Sequence, residues 1–235
     1  IDRRALVPKT ATLEIGAGSG LATRRLIEHG ADPITVVEPD VRFAPQLRSL
    51  AASARAQLRL VQSAFEDAEL PLRSFDLAAA ATSFHWLDPD IALEKIADVL
   101  KPGGYAALWW NLFGDLERDD PFHDATTALL ADLAVSPSGA PNAIPYALDR
   151  AAREAQFASC GKFGAVEYAQ THWTLKLSTQ QVGRLYGGFS HVLRLPVMQR
   201  AELLQQLMAV AQTRFGGTVE RNMTSVIYLA RRKEP

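Results

Sequence analysis

The first 110 residues alternate short apolar runs with stretches of helical spacing. The apolar runs cover 11–15, 33–38, 57–62, 75–82 and 104–110. Between them, 21–29, 41–54 and 89–100 carry apolar side chains at intervals that predict amphipathic helices. Strands alternating with helices predict right-handed βαβ crossovers and a parallel sheet covered on both faces. The helix over 89–100 has defined ends. Asp88 or Asp90 is expected to cap it, and Pro89 suits its first turn. Lys101-Pro102-Gly103-Gly104 is expected to stop it, since proline cannot continue a helix and glycine accepts positive φ.

After Asn111 the rhythm changes. Helical stretches at about 121–134 and 147–160 flank a segment, 136–145, rich in proline, glycine and serine. Residues 112–165 are therefore expected to form a helical cap inserted within one domain spanning 1–235. Such an insertion would lie over the carboxyl edge of the sheet, where open α/β sheets bind ligands. A strand follows at 166–177, then helices at 178–194 and 198–214, and a last strand at 224–230. Leu203, Leu204, Leu207, Met208 and Ala211 form a helical stripe best explained as core packing.

The chemistry begins at residues 13–20, Leu-Glu-Ile-Gly-Ala-Gly-Ser-Gly, which follow a strand and open a helix. Gly16 and Gly18 remove side chains where a ligand must approach backbone, and Gly20 lets the helix start pack near the strand. A dinucleotide fingerprint, G-x-G-x-x-G, would need a third glycine where Leu21 stands. Glu14, two residues before the first glycine, would repel phosphate and suit an ammonium group. Glu38 ends the next strand, where a carboxylate can accept two hydrogen bonds from a ribose diol.

Glu14-Ile15-Gly16-Ala17-Gly18-Ser19-Gly20, then Glu38, then Ala64-Phe65-Glu66, then Lys101-Pro102-Gly103-Gly104 resembles the class I S-adenosylmethionine-dependent methyltransferases, in the small-molecule, type 11-like branch. The likeness covers about residues 8–111 and a terminal strand. It implies a Rossmann-like, doubly wound α/β fold with a seven-stranded sheet of order 3-2-1-4-5-7-6, strand 7 antiparallel. It also implies S-adenosyl-L-methionine as cofactor. Gly16, Ala17 and Gly18 would lie against its methionine portion, with Glu14 fixing the loop and reaching the amino group. Glu38 would grip the ribose, and Pro39 and Asp40 would border the adenosine. Ala64, Phe65 and Glu66 would frame the adenine, while Thr82 and Ser83 would face the methionine end. By the same resemblance, His85-Trp86 would fall beside the transferred methyl. The family carries a segment ahead of its first strand, so an N-terminal lid is expected to be missing before Ile1.

Methyl transfer from a sulfonium is an in-line displacement in which alignment and exclusion of water do most of the work. A base is needed only where the nucleophile arrives protonated. His85 is the candidate base, with a role in the pocket wall as the other reading. Trp86, Trp110 and Asn111 are candidate substrate contacts. Trp109 and Trp110 should face opposite sides of the sheet. His172, His191, Tyr186 and Arg221 are candidate pocket residues from the C-terminal part, with a structural or surface role as the preferred reading.

Composition narrows the partners. Twenty-five Lys and Arg against 26 Asp and Glu give a net charge of −1, so nucleic acid and membrane surfaces are not expected partners. A single cysteine, Cys160, excludes an intrachain disulfide and a cysteine-based zinc site and fits the cytoplasm. The five histidines lack metal-ligand spacing, and no metal is expected. Two alternatives stay open: a dinucleotide-binding oxidoreductase or epimerase, and a methyltransferase-like binding or regulatory protein without turnover. The acceptor and the oligomeric state are not legible.

Overall fold

The computed structural model describes residues 5–54, 56–113, 118–131, 133 and 144–234. The first half is built as its apolar pattern predicts. Strands β1 (Thr10–Ile15), β2 (Ala31–Val37), β3 (Leu58–Val61), β4 (Phe75–Ala81) and β5 (Leu100–Phe113) alternate with helices α1 (Leu21–Glu28), α2 (Ala44–Ser53) and α3 (Pro89–Val99). β1 pairs with β2 and β4, β2 with β3, and β4 with β5, all parallel. Two further strands, β6 (Phe163–Ser178) and β7 (Thr218–Arg232), complete a seven-stranded sheet of order β3-β2-β1-β4-β5-β7-β6, with β7 antiparallel. The α/β class and strand order are those that the resemblance implies.

The remaining helices are α4 (Pro121–Leu130), α5 (Arg150–Cys160), α6 (Thr179–Gly187), α7 (Ser190–Leu193) and α8 (Val197–Arg214). Two compact units emerge. One comprises residues 1–110, 144–169 and 226–235, the other 111–143 and 170–225, so α4 and α5 fall in different units. In the first unit, Leu26, Ile34, Val36, Leu47, Leu77 and Leu229 pack into one buried cluster. In the second, Phe122, Val182, Tyr186, Leu203, Leu207 and Ala211 form another, which confirms the leucine stripe of α8 as core. Part of the segment 136–145, at 136–143, lies outside the described residues.

Several local expectations need correction. α3 ends at Val99, directly before Lys101–Gly104, as expected, but these residues are themselves part of a strand. The chain passes from Val99 into β5 at Leu100, and the register with β4 shifts between Phe75 and Leu77, so these residues make an irregularity within the strand. Gly103 takes φ 79 there. The helix over 41–54 opens with a 3-10 turn, Val41–Phe43, capped by Asp40, before α2 begins. The stretch 178–194 is two helices, because Gly187 and Gly188 end α6. β7 begins at Thr218 instead of 224. Its polar run Glu220-Arg221-Asn222 hides a strand in which Arg221 is buried by pairing with Asp120.

Caps follow the residue types. Asp88 accepts from the amides of Asp90 and Ile91 at the start of α3. Asp120 accepts from His123 N–H at the start of α4, and Ser178 and Gln181 form a capping box on α6. The described residues contain no helix long and apolar enough to cross a membrane.

Candidate active site

The carboxyl ends of β1, β2 and β4 meet at the glycine loop. Gly16 takes φ 72, and a Cβ built on it would stand 2.5 Å from the Ser83 Cβ, so any side chain is excluded there by both backbone and neighbour. Gly18 and Gly20 also have positive φ. The Ser83 hydroxyl donates to the Ile15 carbonyl at 2.5 Å, and Gly16 N–H donates to Val37 O at 2.8 Å. Together these bonds tie the loop to both flanking strands. α1 then starts at Gly20 with no side-chain cap and no acidic residue in its first turn. Its first amides are left for another acceptor.

Two acids frame this loop in contrasting ways. Glu38 is buried at the end of β2, and its two oxygens accept from Gly18 N–H at 2.7 Å and Asp40 N–H at 2.9 Å. Asp40 in turn binds Arg42, whose hydrogen bonds hold its carboxyl down to about 2. Glu14 is wholly buried, and neither of its oxygens has a hydrogen-bond partner among the described residues. Burial pushes its carboxyl up to about 7. Thr23 pulls against that rise and the negative charge of Glu38 adds to it. Thr23 is near enough to act electrostatically yet its hydroxyl makes no hydrogen bond of ordinary geometry.

Pro39 is exposed beside Glu38. Ala64, Phe65 and Glu66 form the turn after β3, closed by Asp67 N–H to Ala64 O. Lys95 of α3 reaches over the Phe65 ring and donates to the carbonyls of Glu66 and Ala68 at 2.8 and 2.6 Å. Phe65 is buried, so its ring belongs to the core and the turn's backbone is what it can offer. Thr82, after β4, holds φ 53, a conformation rare for a β-branched residue, and donates its N–H to Trp109 O at 2.7 Å. Such strain collects where a fold positions groups for use.

The 3-10 turn Phe84–Trp86 follows at once. His85 is half-buried, and its Nδ1 accepts from Trp110 Nε1–H at 3.0 Å. Trp86, Trp110 and Tyr146 ring it at centroid distances of 5.1, 6.5 and 6.2 Å. Burial lowers its readiness to protonate. Trp86 is half exposed, whereas Trp110 is buried. Trp109 packs on the core cluster of the first unit and Trp110 on the aromatic group around His85, as strand alternation requires. Asn111 belongs to the second unit. Its side-chain oxygen accepts from Ser225, which accepts from Trp173.

What residue patterns missed is Tyr146, in a turn before α5. Arg153 lies over its ring at 3.3 Å and donates to its carbonyl at 2.8 Å. No sequence signal marks a tyrosine in such a turn. In the second unit Arg221 pairs with Asp120, touches the Tyr186 hydroxyl, and stacks over Phe113 at 4.5 Å. The structural reading of Arg221 and Tyr186 therefore agrees with their surroundings. The described residues contain no cluster of three or more His, Cys, Asp or Glu placed to hold a metal ion.

A family described as a methyltransferase domain matches residues 13–108. An uncharacterized methyltransferase of Schizosaccharomyces pombe is 30% identical over 94% of this chain and 84% of its own length. The chain belongs to the class I methyltransferases. An uncharacterized methyltransferase of Mycobacterium tuberculosis is 35% identical, over 45% of this methyltransferase and 42% of its own length. The chain thus matches less than half the length of that relative. Among solved structures, phosphoethanolamine N-methyltransferase 2 of Haemonchus contortus, in complex with S-adenosyl-L-methionine, superposes with a TM-score of 0.59 at 15% identity, covering 99% of this chain and 51% of that one. At that identity the likeness concerns the fold.

Proposed function

We propose that this methyltransferase moves a methyl group from S-adenosyl-L-methionine to a small-molecule acceptor. The observation that carries the reading is Glu14, a buried acid with no hydrogen-bond partner among the described residues, beside a loop that only glycine can form. A buried, unpaired carboxyl is costly unless a ligand completes it. An ammonium group is the ligand that would do so, and it would draw the proton off Glu14. The uncapped start of α1 suits the carboxylate of the same α-amino acid. These features fit the methionine portion of the cofactor, with Gly16, Ala17 and Gly18 allowing close approach.

Glu38 would bind the ribose. A carboxylate has about four acceptor positions, and two are used by Gly18 and Asp40. The remainder can take a diol. Pro39 and Asp40 would border the sugar and base, and the turn at Ala64, Phe65 and Glu66 would frame the adenine with backbone groups. Thr82 and Ser83 would hold the methionine end. When bound, the cofactor supplies an electrophilic methyl on a sulfonium. The chain's part is to align the acceptor and exclude water, for which Trp86 and Trp110 provide walls. The single free cysteine is compatible with a cytoplasmic enzyme.

Calorimetry with S-adenosylhomocysteine and with NADH, followed by label transfer from S-adenosyl-L-methionine to a metabolite panel, tests the proposal. Homocysteine-nucleoside binding with transfer is expected. NADH binding in its place would overturn the reading, and binding without transfer would make the chain a regulator.

A further inference from the structure

His85 has an unusual constraint for a histidine at a reaction edge. Its Nδ1 lone pair is engaged by the indole N–H of Trp110, a donor that has no acceptor form. A neutral imidazole that accepts at Nδ1 carries its proton at Nε2. Nε2 has no partner among the described residues and is not closed off from solvent. The ring therefore offers a donor outward, and its basic electron pair faces inward.

The surroundings select what that donor meets. Trp86, Trp110 and Tyr146 supply flat apolar faces. Over the Tyr146 ring lies the Arg153 guanidinium, 3.3 Å from its centroid, buried and in no ion pair among the described residues. Asp149 and the hydroxyls of Tyr146 and Tyr228 are the titratable groups around it. Tyr146 and Tyr228 have their ionisation raised further by burial, so they stay neutral at physiological pH. An N–H donor backed by a partly desolvated cation favours an anionic oxygen.

We propose that Trp110 locks His85 as its Nε2–H tautomer, and that His85, with the charge of Arg153 behind it, receives a carboxylate of a largely apolar acceptor molecule. His85 is then a substrate-binding donor, not a base, and the nucleophilic atom must enter with a free electron pair. The inference rests on the methyl-transfer reading for its location beside the methyl, and on the ring geometry alone for the tautomer.

The test uses the full chain labelled with 15N-histidine, with the His85 signals assigned by their loss in His85→Gln. Long-range proton–nitrogen spectra should place a single proton on Nε2 at pH 7. A proton on Nδ1, or a charged ring, would overturn the lock. Benzoate and trans-cinnamate, added with S-adenosylhomocysteine present, should shift Nε2 and bind at least tenfold more tightly than benzyl and cinnamyl alcohols. Equal binding of acids and alcohols would overturn the carboxylate role. His85→Ala should lose the preference for acids, and His85→Gln, which restores an N–H near that position, should recover most of it. Failure of both variants alike would count against a donor. Absence of S-adenosylhomocysteine binding in the same samples would instead sink the methyl-transfer reading and leave the tautomer result standing.

Discussion

Each of the two units buries acids, and treats them in opposite ways. In the second, Asp120 receives Arg221 at 2.8 Å, caps α4, and completes a set that includes the Tyr186 hydroxyl. In the first, Glu14 is also buried and has no hydrogen-bond partner among the described residues. The pair in one unit is closed within the protein, so its role is cohesion. The acid in the other is open, and its cost in the empty protein is the mark of a site that a ligand completes.

The largest effect should come from opening the closed pair. Asp120→Ala leaves Arg221 charged and buried without its acid, and should destabilise the protein by about 3–5 kcal/mol. Urea unfolding would measure it, and a loss below about 1 kcal/mol would show the pair to be dispensable.

Glu14 should act in the other direction. Its carboxyl is held near 7 in the folded chain against 4.5 as the ordinary value. An acid raised in this way favours folding while protonated, so its support is full at low pH. That support drains away as pH climbs from about 4.5 to 7, by about 3 kcal/mol. Glu14→Gln should remove this slope, leaving the variant more stable than the parent at pH 8 and little changed at pH 4, while cofactor binding weakens. Identical pH profiles for parent and variant would contradict it.

Glu38 is a mixed case, partly closed by Gly18 and Asp40 and partly open. Its replacement by alanine should weaken S-adenosylhomocysteine binding by about 2–3 kcal/mol, measured by calorimetry. The smallest effect is expected at Thr82. Its φ of 53 costs about 1–2 kcal/mol in a residue bearing a Cβ, so Thr82→Gly should raise stability by about 1 kcal/mol. A loss of stability would mean that the threonine side chain contributes more than the strain removes.

These contrasts also explain what could be read without coordinates. The glycine loop, Glu38 and the alternation of strands with helices were legible because parallel strands are continuous apolar runs and because glycine marks backbone that side chains cannot adopt, whereas the strand order came only from the family resemblance. Asp120 was readable as a helix start, yet its bond to Arg221 spans 101 positions and leaves no local trace. The same blindness hid Tyr146 beside His85. It also hid the first residues of β7, where the polar run Glu220-Arg221-Asn222 gave no strand signal although Arg221 is buried against Asp120. Lys101–Gly104 marked the end of α3 but not the irregular start of β5, since residues that end helices equally shape irregular strands.

Two short bonds have a wider consequence. Thr82 N–H to Trp109 O and Ser83 hydroxyl to Ile15 O fasten the carboxyl ends of β1, β4 and β5 to one another. Little mobility is then left to be surrendered when a guest arrives at that rim, which favours affinity through readiness rather than adaptation. Evolution toward a different guest would proceed by exchanging the residues around the rim more readily than by reshaping it.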